Sequence, residues 1–371
     1  MNVKRSVATA AKISFLLILA FSAFGCQGNP ASDGSTTNSK FTYRDPYAWP
    51  VSTPAAQGLD QAKVSAAVQE IGKNPFIYSF LVVHSDSLVL EYYNGYLKGN
   101  DFDIHSATKS LTSALIGIAI DQGLIRSVQD KILGFFPDLD TSNLDPRKRD
   151  WTIEQFLTMR SGIDWDETAD HTSTFTPSVN WMSTALKLPL EYSPGDRFVY
   201  TTPNANVLSG IVTRVSGMST YDFAEKVLFQ PLKISVRDWL TDPQGIYSGG
   251  SSSRFTPRDL ARLGQLYLHN GMIDGRQIVS KGWVQQSLIS RNQQNLIWGD
   301  FTSTNYGYLW WNNYSSTDSV FMAAGFAGQF IFVIPTKNMI IVTTGNDNVT
   351  TDQANINEII IIGIVKRYFL S

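Results

Sequence analysis

The sequence predicts an α+β chain: an antiparallel β-sheet flanked by N- and C-terminal helices and carrying an inserted, mostly helical domain. Three observations predict it. Two β-rich runs, residues 76–84 and 88–96, flank Ser85, Asp86 and Ser87 and read as a hairpin near the start. Strand-like runs return only after residue 300. Between them, residues 125–290 are mostly helical in pattern, with long polar connections. An N-terminal hairpin that must find its partners near the other end of the chain makes one sheet. Helices from both ends then cover it. The corresponding division is 1–25 as a signal peptide, 26–55 as a tether, 56–125 with 291–371 as the sheet domain, and 126–290 as the helical insertion.

In chain order, Lys4, Arg5 and Lys12 accompany a short apolar run, residues 13–21, and Ser22, Ala23, Phe24 and Gly25 lead to Cys26. That run is too short for a bilayer span and has the layout of a secretory signal. Residues 27–40 are polar, Gly/Ser/Thr-rich and aperiodic, as in a flexible tether. Order is expected to begin near Phe41, with the segment to about Gln57 running along a surface. Asp60 is placed to cap a helix over 63–71 that Gly72 closes. After the hairpin, residues 107–122 form a helix ended by Gly123. Leu111, Ala114, Leu115, Ile118 and Ala119 recur at helical spacing, so this helix is buried on one side or more. Residues 152–159, 206–215, 221–228 and 257–270 are the clearest later helices, the last opened by Thr256 and Pro257. Residues 306–311, 319–323, 329–334 and 339–344 read as strands, and 355–368 as a terminal helix. The isoleucines at 359–362 are too few to cross a membrane and read as core.

Composition excludes several classes. Of the 371 residues, 43% are apolar and 17% charged, enough for a sizeable core and unlike a disordered chain. Lys plus Arg is 30 and Asp plus Glu is 32, a net −2, without the basic excess of a nucleic-acid binder. Loss of residues 1–25 removes three positive charges and no negative one, which takes the net charge to −5. One cysteine allows neither a disulfide framework nor a cysteine zinc cluster. The four histidines, His84, His105, His171 and His269, are scattered without an H-E-x-x-H, so no metal site is expected. G-x-S-x-G, P-loop and Rossmann glycine patterns are absent too, which argues against an α/β-hydrolase, a nucleotide hydrolase and a dehydrogenase.

Ser106-Ala107-Thr108-Lys109 is an S-x-x-K at the start of the buried helix. The i+3 spacing puts the ammonium and the hydroxyl on one helix face. A serine at a helix N-terminus also offers its N–H to a developing oxyanion. Its hydroxyl needs a nearby base, and a lysine serves only if burial or a neighbouring cation lowers its pKa. Taken alone, the pair reads more readily as a helix cap and a solvated charge.

Context adds to it. Residues 105–122 (HSATKSLTSALIGIAIDQ), 152–165 (TIEQFLTMRSGIDW), 193–200 (SPGDRFVY), 254–271 and 324–329 (AGFAGQ) fall in the order hairpin, S-x-x-K helix, helical insertion, strands. This arrangement resembles the serine β-lactamase and penicillin-binding family in its C-type, esterase-like branch. It is similar to 6-aminohexanoate-oligomer hydrolases and family VIII-type esterases over about residues 55–370. The resemblance implies a β-lactamase-like fold and an exported serine hydrolase that works through an acyl-serine intermediate, without a cofactor. Ser106 is then the nucleophile, with Lys109 and Tyr200 handling its proton. The backbone N–H groups of Ser106 and Phe326 would form the oxyanion hole. The second motif, Tyr-x-Asn or Tyr-x-Ser in relatives, is Tyr200-Thr201-Thr202 here, so a hydroxyl stands for the carboxamide.

The Lys-Thr-Gly or His-Thr-Gly of penicillin-recognising relatives is missing, and Gly325-Phe326-Ala327-Gly328-Gln329 stands in that region. The expected substrate is therefore a small ester or amide. A β-lactamase, a D-alanyl carboxypeptidase and a non-catalytic ligand sensor of the same fold are the alternatives. Thr202, Gly325, Trp165 and Trp310 are candidate substrate contacts. Tyr306, Trp310 and their neighbours could line the cleft or form core. Asp164, Asp166, Glu167 and His171 lie with Trp165 on a loop that would cover the site or simply be solvated. Gly249-Gly250-Ser251 would shape a site wall or turn the chain. The Gly25-Cys26 junction resembles a bacterial lipobox, although Ala23 stands where leucine is usual. That resemblance implies acylation of Cys26 and a periplasmic, membrane-anchored chain, with cleavage without lipid as the alternative. No nucleic-acid partner is expected, and the sequence leaves the oligomeric state open.

Overall fold

The computed structural model describes residues 40–292, 294–315 and 318–370. The signal-like segment, Cys26 and the tether to residue 39 lie outside the described residues.

Eight antiparallel strands form the main sheet: β1 Ile77–His84, β2 Ser87–Tyr93, β3 Leu296–Trp298, β4 Phe301–Tyr306, β5 Trp311–Tyr314, β6 Ser319–Gly325, β7 Gln329–Ile334 and β8 Met339–Gly345. Their spatial order is β2-β1-β8-β7-β6-β5-β4-β3. The N-terminal hairpin does pair with the C-terminal strands: Leu81 faces Val342 and Val83 faces Ile340. Its turn has two residues, Ser85 and Asp86, both at positive φ, as a tight hairpin between twisted strands demands.

Five longer helices matter for the site: α1 Gln61–Gly72, α2 Thr108–Asp121, α3 Thr202–Ser216, α4 Pro257–Leu268 and α5 Thr351–Val365. The central strands β7 and β8 are buried along their whole length because helices lie on both faces. Ile331 and Ile340 meet α4 at Gly264, where a Cβ would lie 2.9 Å and 2.7 Å from their methyl groups. Phe80 pairs with Thr343, three residues along from Ile340, and so points the other way, stacking on Phe369 beyond α5. Contact between α4 and the sheet corrects the expected division: residues 257–268 fell inside the 126–290 insertion, yet they are a layer of the sheet. The reason is their apolar face, which finds its largest apolar partner in β7 and β8.

The expected strand over 306–311 is also corrected. β4 ends at Tyr306, the chain turns, and β5 begins at Trp311, its direct partner. The aromatic run looks like a strand, but Gly307 lies against the Ser287 carbonyl, where a Cβ would come within 2.1 Å. Leu309 takes positive φ and binds the Leu157 carbonyl at 2.9 Å.

A small second sheet, Phe102–Asp103, Ser253–Phe255 and Asp238–Trp239, leads into α2. It anchors that helix: Ile104 N donates to Ser253 O at 2.9 Å, and the Thr108 and Ser253 hydroxyls meet at 2.7 Å. All residues from Thr108 to Ala119 are buried, so α2 runs through the centre of the molecule.

Candidate active site

The turn before α2 is sharp. His105 takes φ +46°, a costly conformation for a side-chain-bearing residue, and is held there on several sides. Its N–H donates to Asp103 Oδ1 at 2.7 Å, its Nε2 meets Asp347 Oδ2 at 3.1 Å, and its ring packs edge-on against Phe326 at 5.7 Å. Burial opposes charge on this imidazole, but Asp103 and Asp347 outweigh it and hold the pKa above the ordinary value. The turn delivers Ser106, 2% exposed, to the start of the helix.

One helical turn on, Lys109 is 1% exposed. Its Nζ lies 3.0 Å from Ser106 Oγ, 2.9 Å from Thr202 Oγ1 and 2.8 Å from the Gly250 carbonyl. It faces no carboxylate within ion-pairing distance among the described residues. Burial pushes its pKa down to about 8, against the more distant pull of Glu167. A neutral fraction of about a tenth at pH 7, rising steeply above it, gives this amine a lone pair with which to accept the serine proton. The Gly250 carbonyl reaches Lys109 because Gly249 and Gly250 pack tightly on α3: Cβ atoms there would lie 2.0 Å from Ala205 O and 2.7 Å from Thr202 Cγ2.

Tyr200 stands beside this pair, with Lys109 Nζ 4.8 Å from its ring centroid. The ring stacks on Trp311 at 5.7 Å and 18°, with Tyr306 edge-on at 6.1 Å. Its hydroxyl is buried and completes no hydrogen bond, although Ser106 is its polar neighbour. Burial and the charge of Glu167 drive its pKa far above that of an ordinary tyrosine. Beside Ser106 it therefore offers a neutral hydroxyl. Of the two groups, Lys109 is the one whose shift runs toward neutral pH.

Glu167 comes from the covering loop. Its Oε2 accepts the Thr202 N–H at 3.0 Å and the Trp165 Nε1–H at 2.6 Å, and its Oε1 accepts the Thr202 hydroxyl. A carboxylate here meets the positive end of the 15-residue α3. His171, on the same loop, is 4% exposed with its Nδ1 unpartnered. Burial lowers its pKa against the pull of Glu167, and the charges of Lys109 and His105 add to the lowering.

Across from Ser106, β6 and β7 are joined by Phe326, Ala327 and Gly328, with Gly325 paired to Gln329. Gly325 lies against the Ile104 carbonyl, where a Cβ would come within 2.1 Å, so the end of β6 abuts the turn that carries Ser106. Its role is close packing; no side chain at this position could reach a substrate without moving that backbone. The loop is clamped from α5, where Glu358 accepts the Ala327 N–H at 3.0 Å and Asn357 donates to the Ala327 carbonyl at 2.8 Å. Burial pushes Glu358 up to about 8, so it is mostly neutral at neutral pH.

The structure thus brings together Ser106, Lys109, Tyr200, Thr202 and Trp165, with Gly325 and Phe326 beside His105. Thr202 and Trp165, expected at substrate, hydrogen-bond to Lys109 and Glu167. Trp310 is not at the site: it is wholly buried and lies on Tyr267 of α4, ring centroids 4.2 Å apart. The turn at Gly307 shifts the alternation, so Trp311 and Tyr306 hold the position by Tyr200. Asn357 and Glu358 were missed. They close the polar first half of the terminal helix, just before its isoleucine run, so nothing in the sequence set them apart from their polar neighbours. Among the described residues, no three His, Cys, Asp or Glu side chains gather as metal ligands would.

Known proteins share this fold. The 6-aminohexanoate-dimer hydrolase of Paenarthrobacter ureafaciens is 29% identical over 286 residues, 71% of this chain and 71% of that protein. A Bacillus anthracis structure provisionally named a 6-aminohexanoate-dimer hydrolase superposes with a TM-score of 0.68 at 18% identity, covering 86% of this chain and 88% of that one. The octameric penicillin-binding protein homologue of Pyrococcus abyssi gives 0.62 at 20% identity, covering 83% and 78%. At those identities the two structures bear on the fold alone. The Beta-lactamase family profile matches residues 78–363, from β1 through most of α5, and with the sheet, the inserted helices and the helix-borne Ser106 and Lys109 all inside that span, the chain belongs to the Beta-lactamase family.

Proposed function

We propose that the chain is a serine hydrolase that cleaves an ester or an open-chain amide through an acyl-serine intermediate. The observation that carries this is the buried Lys109 amine, 3.0 Å from Ser106 Oγ with its pKa drawn down to about 8. Ser106 Oγ bonds to the substrate carbonyl carbon while its proton passes to Lys109. The carbonyl becomes an oxyanion that the Ser106 and Phe326 N–H groups would hold. As the oxyanion reforms a carbonyl, the bond to the leaving group breaks. The leaving group takes the proton from Lys109 by way of the Tyr200 hydroxyl. Water then attacks the acyl carbon and gives its proton to Lys109, which returns one to Ser106. The same proposal includes export, with the mature chain anchored through an acylated Cys26 on the periplasmic side.

Ester and amide substrates are favoured because the loop facing Ser106 presents Phe326 and Ala327, and His105 beside it is already engaged with Asp347. A relative named for hydrolysis of an amide dimer supports the amide arm. The test is covalent labelling by a fluorophosphonate probe. The wild type takes one label and Ser106→Ala none. An unlabelled wild type would instead mark a ligand sensor.

A further inference from the structure

Lys109 has three polar neighbours and Thr202 two, and their donor and acceptor capacities do not match freely. We infer that Glu167 is a positioning residue that, through Thr202, fixes the direction of the hydrogen bonds at Lys109 and so keeps the amine lone pair on Ser106. The inference rests on the acyl-transfer reading of Ser106 and Lys109 and goes beyond it.

A neutral amine has two N–H donors and one lone pair. The Gly250 carbonyl can only accept, which takes one donor at 2.8 Å. The Thr202 hydroxyl, 2.9 Å away, could accept from Lys109 or donate to it. Glu167 decides between these. An ionised carboxylate can only accept, and its Oε1 takes the Thr202 hydroxyl proton. Thr202 must then accept from Lys109, which uses the second donor. The one remaining direction, toward Ser106 Oγ at 3.0 Å, is left with the lone pair. Glu167 is itself fixed by the Trp165 indole and the Thr202 N–H, so the chain Trp165, Glu167, Thr202, Lys109, Ser106 runs one way throughout.

This arrangement has an electrostatic cost. The Glu167 charge raises the Lys109 pKa and so lowers its neutral fraction. Tyr200, whose ring lies under the amine, and His171, whose pKa the Lys109 charge lowers, are further titratable groups near it among the described residues. A Gln at 167 keeps an acceptor for the Thr202 N–H, but its amide would donate to Thr202 Oγ1. Thr202 would then turn its proton on Lys109 and occupy the lone pair. Charge and direction therefore pull oppositely, which separates them experimentally.

The experiment is the rate of acylation by a p-nitrophenyl ester, followed as the burst of p-nitrophenol across pH. In Glu167→Gln the acid limb moves to lower pH, yet the alkaline plateau falls about tenfold to a hundredfold with little change in KM. Thr202→Val lowers the plateau similarly, Thr202→Ser recovers most of that loss, and the Glu167→Gln/Thr202→Val double variant is no slower than Thr202→Val. Plateaus within twofold of wild type in both Glu167→Gln and Thr202→Val overturn the inference, as does a Thr202→Ser as slow as Thr202→Val. Thermal melts establish that each variant is folded, and the Thr202 pair decides the matter if Glu167→Gln is not. Ser106→Ala run in parallel separates the two levels: burst activity there removes the acyl-serine reading itself, whereas a silent Ser106→Ala beside unaltered Glu167→Gln and Thr202→Val removes only this inference.

Discussion

Asn357 and Glu358 grip the two main-chain groups of Ala327 from one turn of α5, the amide of Asn357 donating to the carbonyl and the carboxyl of Glu358 accepting the N–H. Ala327 has positive φ and follows Phe326, whose N–H is the candidate second donor to an oxyanion. Asn357 also accepts from Asn74 at 2.9 Å, which ties the loop to the chain just before β1. A terminal helix that packs as an apolar slab thus also sets a loop beside Ser106.

Glu358 makes stability depend on pH. Burial raises its pKa from 4.5 to about 8, so between those values the folded state holds a proton that the unfolded state has released. Stability therefore falls as pH rises from about 4.5 to about 8, and the loss persists above. In total it is on the order of a few kcal/mol. Glu358→Gln keeps an acceptor for Ala327 without the titration. Its Tm should match wild type near pH 4.5 and exceed it by several degrees at pH 9. Equal melting curves at both pH values would show that the carboxylate is relieved by another route.

Activity should report the lysine. With Lys109 as base and a pKa near 8, kcat/KM rises with pH and levels off above about 8. An unshifted lysine would place that limb above pH 10. Tyr200→Phe should lower the plateau by at least about a hundredfold while leaving the limb in place, because the hydroxyl relays a proton and does not titrate in this range. A limb that moved with Tyr200→Phe would make the tyrosine the titrating base.

Much of this site was legible because short-range chemistry fixes it. The i+3 spacing of Ser106 and Lys109 on one helix needs no tertiary knowledge, and neither does the turn at Ser85 and Asp86. The strand pairing followed from edge logic, since β1 had to find a partner and the other strand-like runs came after residue 300. Contacts set by long-range packing were not legible. Trp310 and Trp311 differ by one position, and the turn at Gly307, forced by the distant Ser287 carbonyl, decides which one faces Tyr200. Glu167 was visible as a loop carboxylate, but its two contacts to Thr202 depend on where the loop lies. The α4 helix has the same amphipathic pattern whether it covers a sheet or other helices, so its layer could not be read from periodicity.

Export through Cys26 makes a separate prediction. A single acyl chain holds a protein only marginally, at about 0.8 kcal/mol per buried methylene, so stable anchoring requires more than one chain. Intact-mass analysis of the membrane fraction should show a mature chain that starts at Cys26 and carries the mass of several acyl groups. Cys26→Ser should release the protein into the soluble fraction with unchanged kcat. An unmodified, soluble mature chain from the wild-type gene would remove the anchor.

Substrate charge should decide turnover. A β-lactam or a D-alanyl peptide brings a carboxylate next to the scissile bond. Beside Ser106 the loop offers Phe326 and Ala327, and the end of β6 is a glycine pressed against the Ile104 carbonyl, where no side chain fits. His105 is nearby, but its Nε2 is committed to Asp347 and its ring to Phe326. An anion in this partly desolvated cleft would lack a partner, at roughly several kcal/mol, and about 1.4 kcal/mol already costs tenfold in rate. A neutral acyl group meets no such penalty, and the Ser106 and Lys109 pair acts on it unchanged. A p-nitrophenyl acyl ester and an aminoacyl amide dimer should therefore exceed a cephalosporin in kcat/KM by at least about a hundredfold, after correction for intrinsic reactivity. Efficient cephalosporin hydrolysis by the wild type would mean that His105 or His171 reaches the carboxylate after all.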